Sequence, residues 1–121
     1  MIDHVGLEVS DLGRAGRFYD AIFFALGGRR MQESDHAIAY GITARTFWVQ
    51  ARRRPEPGYG HVALRANGKA AVDAAHAAGL AHGGSDAGPP GPRPQYGRRY
   101  YAAYLHDPDG LRVEFVSGAA D

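Results

Sequence analysis

The segment HVGLEVSD at 4–11 returns 57 residues later as HVALRANG at 61–68, with His, Val and Leu in the same places. Neither half of a 121-residue chain carries enough apolar surface to cover a sheet by itself, so the repeat implies two copies of one unit packed together. In both segments the side chains alternate. Val5, Leu7 and Val9 share one face and His4, Gly6 and Glu8 the other; Val62, Leu64 and Ala66 oppose His61, Ala63 and Arg65. Each segment reads as a half-buried strand whose histidine turns away from the apolar side.

A helical period follows each strand. Ala15, Phe18, Tyr19, Ile22, Phe23 and Leu26 recur at three- and four-residue steps, with Ser10 or Asp11 placed to cap the start and Gly27-Gly28 to stop the helix. The second helix, about 68–78, rests on alanine propensity and is expected to end at Gly79. Short β-like runs come next, at 29–34, 36–41 and 46–51, then at about 81–85, 100–106 and 111–117. Asp107-Pro108-Asp109-Gly110 joins the last two as a tight turn, because proline presets φ and glycine accepts a positive one. The predicted class is α+β: two tandem βαβββ modules, about 1–54 and 60–118, forming a cupped, partly closed mixed sheet with helices on its outer face. The run RRRPEPGYG at 52–60 suits a linker between them. The stretch 82–99, with five Gly and four Pro, is expected to be a long loop, either a solvated connection or a lid.

Composition removes several classes of function. Fourteen basic against thirteen acidic side chains leave a net charge of +1, too weak a field to recruit nucleic acid or a membrane surface. The absence of Cys excludes disulfides, thiolate metal sites and a cysteine nucleophile, so any metal must take nitrogen and oxygen ligands. No apolar run approaches the roughly 20 residues that span a bilayer, and a cytoplasmic protein is expected. GxGxxG, P-loop, GxSxG and HExxH patterns are all missing.

The strands carry the chemistry. His4 and His61 occupy equivalent positions on equivalent strands, and two imidazoles brought together begin a metal site. In LRVEFV at 111–116, Leu111, Val113 and Phe115 leave Glu114 on the opposite face, where a carboxylate needs a partner or a cation. The repeat maps Glu114 onto Trp48, with Gln50 two residues on, so a second carboxylate is missing at the matching place. Two His and one Glu would leave coordination positions open, as a catalytic site requires. The plainer alternative has hydrogen-bonded histidines, with Glu114 paired to Arg65 or Arg112. Tyr96, Tyr100, Tyr101 and Tyr104 cluster after the Gly/Pro-rich stretch, and two strand parities, 100/102/104/106 or 101/103/105, are both compatible with the pattern. Tyr104 is the candidate proton donor; Trp48, Gln50, Arg65, Tyr100 and Tyr101 are candidates to line a substrate pocket. Arg52-Arg53-Arg54 and Arg98-Arg99 mark either a rim for anions or a solvated surface.

The HVGLEVSD strand, the FY-containing helix ending in LGG, GHVALRA at mid-chain and the terminal DPDGLRVEFV together resemble the vicinal oxygen chelate superfamily of glyoxalases, bleomycin-resistance proteins and extradiol dioxygenases. The resemblance covers essentially the whole chain. It implies a cupped sheet around a divalent ion, iron, manganese, nickel or zinc, held by His4, His61 and Glu114. Glyoxalase I-like members use a further Glu where this chain has Trp48, and the remaining His-His-Glu set resembles the iron site of extradiol dioxygenases. The expected function is a metal-dependent lyase, isomerase or hydrolase acting on a small oxygenated molecule. The alternatives are a single-domain dioxygenase and a metal-free drug-binding protein. A homodimer is expected, with no nucleic-acid or membrane partner.

Overall fold

A computed structural model describes residues 2–52 and 61–118. Its first half runs β1 (Val5–Val9), α1 (Leu12–Ala25), β2 (Arg29–Glu33), β3 (Ala37–Gly41) and β4 (Phe47–Ala51). The second runs β5 (His61–Arg65), α2 (Lys69–Ala81), β6 (Ser85–Pro92), β7 (Tyr101–His106) and β8 (Arg112–Ser117). The halves form separate four-stranded sheets of identical order, β1-β4-β3-β2 and β5-β8-β7-β6. In each the first strand is parallel to the last and the remaining pairs are antiparallel, as two βαβββ modules require. The expected linker falls, apart from Arg52, outside the described residues.

Asp11 caps α1 by accepting the Arg14 N–H at 2.9 Å, while the Ser10 hydroxyl accepts from the Arg14 guanidinium. Phe18, Tyr19, Ile22 and Phe23 form the helix's buried face, with Phe23 stacked on Tyr40 at 4.9 Å. Gly27, at φ +87°, ends the helix as expected.

Two expectations for the second half are corrected. Gly79 lies inside α2, which runs on to Ala81; the positive φ comes at Gly83, +103°. A side chain at 79 would overlap Leu105 Cδ1 and stand 3.2 Å from Phe18 Cε1, so this glycine serves close packing of α2 on α1 and β7. The stretch 82–99 is not one long loop either: Ser85–Pro92 pairs with β7 as the edge strand β6, where prolines lacking an N–H are tolerated and two register shifts absorb the irregularity.

Helix α1 lies against β2–β4, α2 against β6–β8, and the two helices pack on each other. One buried cluster, including Phe18, Ile22, Val72, Leu105 and Phe115, therefore spans both halves. The turn at 107–110 fastens them at its rim. The Tyr19 hydroxyl donates to Asp107 Oδ2 at 2.8 Å, and the Ser10 N–H donates to Asp109 Oδ1 at 3.0 Å. Asp107 Oδ1 also accepts the N–H groups of Asp109 and Leu111, which closes the turn. Burial pushes the Asp107 carboxyl above its usual range, against the opposing pull of these donors. Among the described residues no helix is long and apolar enough to cross a membrane.

Candidate metal and substrate site

Strand pairing settles which side chains share the uncovered face of the second sheet. Val113 and Phe115 are buried under α2, and Leu105 and Ala103 stand opposite them in β7. Alternation then puts Arg112 and Glu114 of β8, Tyr104 and His106 of β7, and His61, Ala63 and Arg65 of β5 on the uncovered side. Glu114 sits between Ala63 and Tyr104, and the small alanine leaves room beside it.

His61 Nε2 lies 3.9 Å from Glu114 Oε2, with the carboxylate largely covered, 13% exposed, and the imidazole open. Arg112 donates from Nε to the same oxygen at 2.9 Å, and its guanidinium rests 4.4 Å from the Tyr104 ring centroid. The Arg93 guanidinium lies 5.0 Å from that ring. Tyr104 has room because its cross-strand neighbour is Gly88, where a Cβ would stand 2.5 Å from Tyr104 Cδ2. Tyr100 and Tyr96 close the wall with their rings 5.4 Å apart. Burial, then the neighbouring Tyr104, Glu114 and Tyr96, push the Tyr100 phenol above its usual range. His61, Tyr96, Tyr100, Tyr104, Arg112 and Glu114 bound a cleft of about 480 Å³.

Four expected residues, His61, Glu114, Tyr100 and Tyr104, therefore come together. Tyr101 does not join them. It belongs to the parity of Ala103 and Leu105, packs on the core, and donates its hydroxyl to Asp73 of α2 at 2.7 Å. Arg65 lines an adjoining cleft with Tyr100 and Ser117. Arg112, weighed from sequence only as a counter-ion for Glu114, also braces Tyr104; alternation within LRVEFV was the signal that placed it there.

The first sheet carries the other candidates. Phe47 and Val49 are buried, which leaves Trp48 and Gln50 on the uncovered face opposite Gly6 and Glu8. Gln50, Glu8, His36 and Arg52 line a cleft of about 560 Å³. His4 precedes β1 and lies 2.8 Å from Asp3 through Nδ1. His4 and His61 thus start strands of different sheets, and among the described residues no three His, Asp or Glu side chains gather closely enough to share an ion.

The donors of the second sheet nevertheless suit a divalent cation. An ion about 2.0–2.2 Å from an imidazole nitrogen and a carboxylate oxygen needs those atoms roughly 3 Å apart. His61 and Glu114 stand at 3.9 Å, close to that separation, with Arg112 on the same carboxylate oxygen. A nitrogen–oxygen pair of this kind fits iron, manganese, nickel or zinc.

A model of the Glyoxalase/Bleomycin resistance protein/Dioxygenase superfamily matches residues 1–115. A glyoxalase/bleomycin resistance protein from Albidiferax ferrireducens is 32% identical, with a TM-score of 0.83 over 96% of this chain and 97% of that one. A glyoxalase I variant from Zea mays is 26% identical, with a TM-score of 0.70 over 93% of this chain but 45% of its own. The fosfomycin resistance protein FosX from Mesorhizobium loti shares the fold, at 22% identity and a TM-score of 0.72, over 98% of this chain and 92% of that one. No curated protein matches. With the repeat, the paired βαβββ modules and a family match over nearly its full length, the chain belongs to the glyoxalase, bleomycin-resistance and dioxygenase superfamily, whose fold is the vicinal oxygen chelate fold.

Proposed function

We propose that this protein is a divalent-metal-dependent enzyme of the glyoxalase type, acting on a small molecule with neighbouring oxygen atoms, and that His61, Glu114 and His4 are the ligands. The observation that carries this reading is the His61–Glu114 pair on an uncovered sheet face beside Tyr104, inside a cleft large enough for a small substrate. His4 starts a strand of the other sheet, so we assign it to the site of a second copy. The chain would then work as a homodimer whose edge strands β1 and β5 meet across the twofold axis.

The bound cation would act as a Lewis acid, polarising the substrate oxygens that it chelates. Tyr104 stands next to Glu114 and would donate its phenolic hydrogen to a substrate oxygen. Arg112 holds the Glu114 carboxylate and the Tyr104 ring in fixed relation, which makes it a positioning residue. Tyr100 and Tyr96 would exclude water from one side, and Trp48 and Gln50 of the other copy would wall the opposite side.

Two further readings share this site. Replacement of a second carboxylate by Trp48 leaves the His-His-Glu set that the family resemblance links to oxygenases, and oxygen consumption with catechol tests that chemistry. The Arg112 hydrogen bond, which already satisfies one Glu114 oxygen, favours a metal-free binder. Elemental analysis of untagged protein separates the readings: near-stoichiometric iron, manganese, nickel or zinc that disappears in Glu114→Gln supports the enzyme. Metal-free protein that takes up no added divalent ion refutes it.

A further inference from the structure

Beside the cleft of His61 and Glu114 lies a region of opposite character. Lys69, Arg98 and Arg99 line an open cavity of about 490 Å³ together with Ser117 and Gly118, and no described carboxylate lines it. None of the three cations has an ion-paired or hydrogen-bonded acid among the described residues; Lys69 only lies over the Tyr101 ring, 5.5 Å from its centroid. Three positive groups facing one space, with no acid among its described lining residues, raise the local concentration of anions.

Their placement is built into the fold. The Arg99 carbonyl lies so close to Gly118, φ +70°, that any side chain at 118 would overlap it, which ties the Arg98-Arg99 segment to the end of β8. Tyr101, two residues on, is bonded to Asp73 of α2, the helix that begins with Lys69. A middle cleft of about 410 Å³ borders both regions, sharing Tyr100 with the Glu114 cleft and Ser117 and Gly118 with the basic cavity. Glu114 and Ser117, three residues apart on β8, turn to opposite faces of the sheet, Ser117 to the side of Val113, Phe115 and Tyr101, so the basic cavity is set apart from the Glu114 cleft.

We propose that Lys69, Arg98 and Arg99 bind an anionic group, phosphate or carboxylate, of a small molecule at this end of the second sheet. The anion site stands independently of the function proposed above.

Backbone amide titrations with inorganic phosphate and with succinate, at constant ionic strength, test the site and tell the two anion chemistries apart. Saturable shifts at Lys69, Arg99 and Gly118 are expected, with affinity falling about tenfold or more in Arg98→Ala/Arg99→Ala. Both side chains are exposed, so that variant should fold normally. Non-saturable shifts, or shifts unchanged in the double variant, overturn the proposal. Glu114→Gln should lose Mn²⁺ binding yet keep phosphate binding, and a wild type that binds phosphate but no Mn²⁺ sinks the metal reading alone.

Discussion

Replacing Tyr19 by Phe removes one oxygen from a fully buried ring and leaves the rest of its packing in place. That oxygen donates at 2.8 Å to Asp107, a carboxylate that the fold covers almost completely. Asp107 keeps the N–H donors of Asp109 and Leu111, so the loss is one charge-assisted bond across the junction of the two modules. Such a bond is worth about 1.5–3 kcal/mol. For a chain of 121 residues this corresponds to a fall in Tm of roughly 6–12 °C. The effect depends on pH. Burial raises the Asp107 pKa in the fold, so this group's contribution to stability is full below its unfolded value near 3.8 and is lost as pH rises through the folded value. Tyr19→Phe removes a donor to the ionised form and raises that pKa further. Its cost is therefore full at pH above the folded value, where Asp107 is ionised, and shrinks as pH falls through it. Thermal unfolding followed by circular dichroism at pH 7 and near pH 4 checks this. A Tm change under 2 °C at pH 7, or one equal at both pH values, would refute the assigned role of the turn as a fastening between the modules.

Gly79→Ala should cost about 1–3 kcal/mol in chemical denaturation, because the new methyl group meets Leu105, Phe18 and Ile22 in a packed interface. A neutral result would mean that α2 is not seated as described. Asp86→Asn tests the contact between α2 and β6: the hydrogen bond from His76, then that from the Gly88 N–H, hold the Asp86 carboxyl below its usual range. A lowered folded pKa gives stability that is present above about 3.8 and lost as pH falls through the folded value. The variant should therefore be less stable than wild type at pH 7, with the difference closing toward pH 3 in urea titrations.

Much of the fold was legible because β-alternation and helical periodicity are local. Val5, Leu7 and Val9, and likewise Val113 and Phe115, must face the core, which leaves Glu114 and Trp48 on the uncovered faces. In YYAAYLH at 100–106, aromatic or apolar residues occur in both parities, so only pairing with β8 could send Tyr104 to the cleft and Tyr101 to Asp73. Gly79 reads locally as a helix stop, yet its neighbours Phe18 and Leu105 lie far away in sequence, and their packing decides its use. The proline-rich β6 was hidden for a similar reason: an edge strand needs donors along one side only. The repeat equates His4 with His61 but says nothing of how the two sheets are joined. Strand pairing within each half puts the histidines at the starts of strands in separate sheets, and the packing of α1 against α2 is what joins the halves.

The shared site is tested most directly by mixing two variants that each lack one ligand. His4→Ala and His61→Ala should each bind no stoichiometric divalent metal when purified alone. After subunit exchange, half of the dimers are mixed and each carries one intact site, so about a quarter of the wild-type metal content should return. Elemental analysis of the mixture that finds no recovery while wild type is fully loaded, or His4→Ala alone that retains its metal, would contradict a site built from His61 and Glu114 of one copy and His4 of the other.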